Sequence, residues 1–233
     1  MPIRKAPWPG RYKSKWDSVD LAFSIDLFWS FRSPYCYLAL DRLLALSHDH
    51  GVGINVRPIY PIAVRSPDFF KTTNPLYRPY HTLDSHRVAD SLGVQFRRPI
   101  PDPIQMDMET GIPEKEQPYI FRLTRLGQAA VMAGRGLEFL DHASRMLWDG
   151  SVDHWDQPPH LADAMTRAGL DAEKLEGNVA ADPDTFDAAI EENQAAHLAA
   201  GHWGVPLMVF EGEPFYGQDR VDLLTARLRQ KGL

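Results

Sequence analysis

Strand-like sequence in this chain is confined to its two ends, with a long helical stretch between them. Residues 21–30 (LAFSIDLFWS) are apolar and aromatic over the length of one buried strand. A turn follows at Phe31-Arg32-Ser33-Pro34-Tyr35, with Pro34 placed for a first helical turn. Apolar Tyr37, Leu38, Leu40, Leu43 and Leu44 then recur at helical spacing through 35–50, and Gly51 stops the run. Residues 52–60 read as a second strand, ended by Pro58 and Pro61. Strand–helix–strand is the unit of a parallel sheet. From about residue 74 to 190 the pattern is helical, with helices expected at 85–92, 119–134, 137–148, 160–169, 171–181 and from Asp182-Pro183 to about 201. Strands return at 205–210 and from Phe215-Tyr216, with Glu211-Gly212-Glu213-Pro214 as the turn, and a last helix runs from Gly217 through Leu228. Both ends must therefore meet in one sheet. The expected architecture is an α/β domain of 21–73 and 191–233, interrupted by a helical domain of 74–190. Residues 1–20 read as an extended arm in which Pro2, Pro7 and Pro9 resist regular structure. Trp8 and Trp16 there either anchor the arm or belong to a loosely packed tail.

Composition narrows the class. At 233 residues the chain buries about 70% of its unfolded surface without needing a covalent staple. Its one cysteine, Cys36, excludes an intrachain disulfide framework and a Cys-pair zinc site, and fits a reducing compartment, the cytosol. Net charge is 25 − 31 = −6, against a nucleic-acid binder. No apolar run reaches the roughly 18 residues of a membrane span, and the positively charged start lacks the apolar core of a secretory signal.

Three short segments carry the candidate chemistry. Ser33 stands at a strand-to-helix junction, where free N–H groups and the helix dipole favour an anion. Ser33 to Cys36 has the spacing of a Cys-x-x-Cys redox pair with Ser at the nucleophile position. Ser33 is either a helix N-cap or a group that stabilises a bound thiolate; Cys36 is either a small buried side chain or a thiol without an intrachain partner. In His202-Trp203-Gly204-Val205-Pro206, Pro206 opens a strand and is a candidate cis-proline, which would leave the Val205 backbone free to pair with an extended ligand. An ordinary trans-proline is the alternative. In Tyr216-Gly217-Gln218-Asp219-Arg220, helix-opening N–H groups and Asp219 suit the carboxylate and ammonium of an α-amino acid head group, or Gln218 and Asp219 merely cap the helix. His48, His50, His154 and His160 lack the spacing of a metal site, Asp102, Asp107 and Glu109 read as a solvated loop, and no phosphate-binding Gly-rich loop is present.

In this order and separation, Ser33-Pro34-Tyr35, Gly204-Val205-Pro206 and Gly217-Gln218-Asp219-Arg220 resemble the 2-hydroxychromene-2-carboxylate isomerase family, which is similar to the kappa-class glutathione transferases. The segment Tyr80…Asp84…Arg87…Gly93 resembles a helix of the same family. The resemblance covers residues 23 to about 228. It implies a thioredoxin-like fold with a DsbA-like helical insertion, a homodimer, glutathione as cofactor and a small aromatic or keto-acid substrate. By position it implies that Ser33 holds the glutathione sulfur as thiolate, Val205 beside cis-Pro206 pairs with its cysteinyl backbone, Gln218 and Asp219 hold its γ-glutamyl end, and Asn74 completes the site. Arg32, Cys36 and Leu207 depart from the family pattern, as does the Pro-rich, acidic stretch 97–117. The alternatives are a kappa-like transferase or peroxidase, or a non-catalytic thioredoxin-fold binding module. Thiol–disulfide exchange is disfavoured because Cys36 has no partner.

Overall fold

The computed structural model describes residues 23–107 and 112–233. The expected arm with Trp8 and Trp16, the first two residues of the expected opening strand, and Glu109 lie outside the described residues. β1 (Ser24–Trp29), α1 (Pro34–His48) and β2 (Gly53–Pro58) form the expected strand–helix–strand unit, with β1 and β2 parallel. At the other end, β3 (Leu207–Phe210) and β4 (Glu213–Tyr216) form a hairpin, and β3 runs antiparallel to β1 through Asp26↔Val209 and Phe28↔Leu207. The sheet order is β2-β1-β3-β4, so the two chain ends do share one sheet. β4 begins at Glu213, so the turn is Glu211-Gly212 and Phe215-Tyr216 close the strand instead of opening it. Pro214 is tolerated there because β4 is an edge strand.

Between β2 and β3 lie α2 (Ile62–Arg65), α3 (Phe69–Thr72), α4 (Tyr77–Leu92), α5 (Ile120–Met132), α6 (Gly136–Trp148), α7 (His160–Arg167), α8 (Ala172–Ala181) and α9 (Pro183–Ala199); α10 (Val221–Gln230) ends the fold. Two short helices, α2 and α3, carry too few residues for a period to show in sequence. α4 begins eight residues before the expected 85. Pro79 masked it, yet Pro79 sits in the first turn, where a missing N–H costs nothing.

The sheet is covered on both faces. Ile25, Leu27 and Trp29 join Leu40 and Leu43 of α1 and Leu123, Phe139, Leu147 and Trp148 of the helical block in one continuous core. Phe28, Ile59, Leu207 and Val209 form a smaller cluster closed by Ala196 and Ala200 of α9. α9 thus runs unbroken through the expected seam at 190 and 191, because its last turns are the cover of the sheet's second face. The helical block also grips the turn after β1: Trp148 Nε1 donates to the Phe31 carbonyl at 2.9 Å.

Candidate functional site

The turn after β1 opens α1. Ser33 is the N-cap of α1, with extended backbone and its N–H given to Ser30 O at 3.0 Å. Its carbonyl accepts from Cys36 and Tyr37, and its Oγ accepts from the Cys36 N–H at 3.3 Å. The N-cap role is therefore real, and it leaves the half-buried hydroxyl its own proton to donate. Pro34 has no N–H, and among the described residues the Tyr35 N–H meets no acceptor. One unfilled backbone donor and one hydroxyl thus stand together at a positive helix end. Cys36 is fully buried, and burial pushes its thiol up to about 12, against the lowering effect of hydrogen bonds from Ser30 and Ser33. It is a packed apolar side chain, not an exposed nucleophile.

Strand pairing brings the other two segments to the same place. Continuing the β1–β3 register past Phe28↔Leu207 sets Val205-Pro206 alongside the Ser30–Ser33 turn. The Val205–Pro206 bond is cis. Among the described residues, the Val205 N–H and C=O enter no hydrogen bond. Leu207↔Tyr216 pairing brings the end of β4 to this edge too, and the Gly217 N–H donates to Pro206 O at 2.9 Å. Gly217 has φ +104, and a Cβ there would lie 2.6 Å from Asp219 Oδ1. Gln218–Arg220 form one 3-10 turn ahead of α10. Gln218 Oε1 accepts from Arg42 of α1 at 2.5 Å, and Asp219 is exposed and paired with Arg220 at 3.1 Å. Because a guanidinium only donates, the Gln218 oxygen faces Arg42 and its amide NH2 is left out of that contact.

Ser33, Val205, Pro206, Gln218 and Asp219 are therefore gathered at one end of the sheet. Asn74 lies on a separate segment of the chain. It lies exposed between α3 and α4 with Oδ1 taking the Leu76 N–H at 2.9 Å. Its neighbours link it to the rim: Phe69 packs on Trp203 at 5.2 Å, Tyr77 on Phe69 at 6.2 Å, and His81 lies between Tyr77 and Tyr35.

Arginines gather next to Ser33 through Arg32. Arg32 makes a two-pronged pair with Asp102 at 2.8 and 2.9 Å, and Arg98 reaches the same carboxylate at 3.8 Å. Arg78 lies over Phe70 at 4.7 Å and within 3.4 Å of Met106 Sδ, where it and Arg32 oppose the charge of Arg98. His81 is held below the ordinary imidazole range by burial first, then by Arg98 and Arg32. Tyr35 donates to Asp84 at 2.5 Å, and burial followed by that carboxylate pushes its hydroxyl far up. Sequence reading singled out Arg32 but read Asp102 as solvated loop; 70 residues separate this pair, and no local pattern joins them.

The DSBA-like thioredoxin domain family matches residues 80–229, more than half of the chain. The chain belongs to this family. The match begins inside α4, so β1 and Ser33 lie before it. The 2-hydroxychromene-2-carboxylate isomerase of Sphingobium xenophagum is 25% identical over 214 residues, spanning 88% of this chain and 97% of that protein. A solved 2-hydroxychromene-2-carboxylate isomerase superposes with a TM-score of 0.64 at 20% identity, covering 89% of this chain and 95% of that one. The cytosolic disulfide reductase DsbM from Pseudomonas aeruginosa, solved with GSH, has a TM-score of 0.56 at 16% identity, over 89% of this chain and all of that one. This DSBA-like member thus has an isomerase as a relative and shares its fold with a disulfide reductase, and no helix of its described residues is long and apolar enough to cross a membrane.

Proposed function

We propose that this protein is a glutathione-dependent isomerase acting on a small aromatic or keto-acid substrate. The observation that carries the reading is the convergence, at one sheet end, of the Ser33 hydroxyl, the unfilled Tyr35 N–H and the unpaired Val205 backbone. These groups fit glutathione as an extended peptide. The Val205 N–H and C=O are the right pair for its cysteinyl backbone. The Gln218 amide and Asp219 match the carboxylate and ammonium of its γ-glutamyl end. When bound, glutathione supplies a thiol nucleophile that adds to an electrophilic carbon and can leave again.

The chain's own work is positioning and electrostatics. Ser33 donates its hydroxyl proton to the sulfur, and the first turn of α1 adds positive potential. Arg32, next to Ser33 in the chain and joined to Arg98 through Asp102, places positive charge beside the site and orients an acidic substrate. Thiol–disulfide exchange is opposed by the burial of Cys36 and by its thiol at about 12.

Calorimetric titration with millimolar glutathione tests the cofactor, and turnover of a hydroxychromene carboxylate tests the reaction. Absence of binding heat sinks the proposal. Conjugation of chlorodinitrobenzene without isomerisation would move the protein to the transferase reading.

A further inference from the structure

The segment that carries Val205 is held in an unusual way. Both polar groups of Gly204, the residue just before it, are taken by histidine side chains. His197, fully buried on α9, meets the Gly204 carbonyl through Nε2 at 2.8 Å. A carbonyl only accepts, so Nε2 carries the proton. His202 takes the Gly204 N–H on Nδ1 at 2.9 Å. An N–H only donates, so this nitrogen must be bare. The His202 ring stacks on Tyr216 at 3.7 Å and 20°. Tyr216 in turn covers Gly204 so closely that a Cβ there would lie 2.3 Å from its ring. Gly217, next after Tyr216, donates to Pro206. His202 therefore sits where the Val205 segment and the Gly217–Asp219 turn are joined.

We propose that His202 is a positioning residue that holds the glutathione-binding backbone in register only while its imidazole is neutral. This rests on the glutathione reading above. Protonation of Nδ1 would replace the acceptor by a donor facing the Gly204 N–H. That amide would lose its partner beside Val205, and the positive ring would alter its stack on Tyr216. Burial holds His202 below the ordinary histidine range, so the change falls on the acid side of about pH 6.5.

The charged and titratable groups around it are few. His197 of α9 is pushed down to about 4 by burial first, and stays neutral across that window. Arg65 of α2 donates to Trp203 O at 3.2 Å and is itself depressed by burial to about 10, so it does not titrate there. Tyr216 is raised by burial, then by Tyr77, Cys36 and Asp219. Asp219 faces Tyr216 in every variant alike.

The test is calorimetric titration with S-methylglutathione, which has no thiol proton, at about pH 7.5 and about pH 5. The native protein should bind about tenfold more weakly at the acid value, the loss that an unpaired buried amide brings. His202→Asn keeps an oxygen acceptor for the N–H two residues on and cannot titrate, so its affinities at the two values should agree. His202→Phe keeps the stack but offers no acceptor, and should be about tenfold weaker than native at pH 7.5. Equal native affinity at both values overturns the inference, as does an acid loss in His202→Asn as large as in the native protein. No binding heat from any protein at either value overturns the glutathione reading itself, and this inference with it.

Discussion

The two sides of the candidate site are made of different material. The side that carries Val205, Gly217, Gln218 and Asp219 is backbone, fixed where β1, β3 and β4 end together. The opposite side is made of side chains on α4 and on the loop before α5, with Arg32 and Arg98 sharing Asp102. α4 buries only Ser85 and Ala89 and leaves Tyr80 and Leu83 exposed. A backbone surface has a shape set by strand pairing, and substitution alters it only through the few residues that hold it. A side-chain surface changes with each residue placed there. Under the function proposed above, the first side would hold glutathione and the second would receive the acceptor.

The largest effect is expected at the point where the halves meet. Ser33→Ala should cut kcat by about 10²–10³, the usual cost of one donor to a developing or bound anion. Affinity for S-methylglutathione should change little, since the backbone side is untouched. A variant that kept full turnover would place the chemistry elsewhere. Next comes the anchoring of the backbone side. Because the folded protein holds His197 at about 4, it binds fewer protons there than the unfolded chain does. The stability this confers is complete above the ordinary imidazole value and is lost as pH falls from about 6.5 toward about 4, up to about 3 kcal/mol. Thermal unfolding across that range should show the slope, and His197→Phe should flatten it. An unchanged slope in that variant would show that another group governs acid stability.

The acceptor side should respond independently. With glutathione bound, Arg32→Gln should weaken binding of an aromatic carboxylate such as 2-hydroxycinnamate about tenfold, by loss of one charge-assisted contact. Equal weakening of S-methylglutathione would erase the distinction between the halves. The smallest effect is expected at Arg42→Met, which frees the Gln218 carboxamide to rotate. Affinity for S-methylglutathione should fall a few-fold, while γ-glutamyl-free analogues such as S-methylcysteinylglycine should be indifferent. A loss shared by both would mean that Arg42 supports α1 more broadly.

Much of the backbone side was legible in the chain. Pro34 after Ser33 marks a helix start, Gly204-Val205-Pro206 marks a strand entry, and Gly217 to Arg220 marks another helix start. Each is a local signal, and each expected element is present. Even so, the sequence left the Val205–Pro206 isomer open, and the structure holds it cis. Asn74 was named by position alone, and its Oδ1 takes the Leu76 amide, a contact between neighbours that the sequence reading did not anticipate. The acceptor side was barely legible. Arg32 stood out, but its partner Asp102 lay in a stretch that reads as solvated loop, and α4 was shortened by a proline that its first turn tolerates.

By itself, then, the sequence determined most of the secondary elements, the need for both ends to share a sheet, and a site without a Cys-x-x-Cys pair. These follow from hydrophobic period, turn chemistry and the count of one cysteine, all readable along the chain. Only the tertiary structure decided that α9 caps the sheet's second face, that Asp102 braces Arg32, and that two histidines hold one glycine. Contacts such as Arg32 with Asp102 join residues far apart in sequence. Their partners are selected by packing and strand register, which no local pattern encodes.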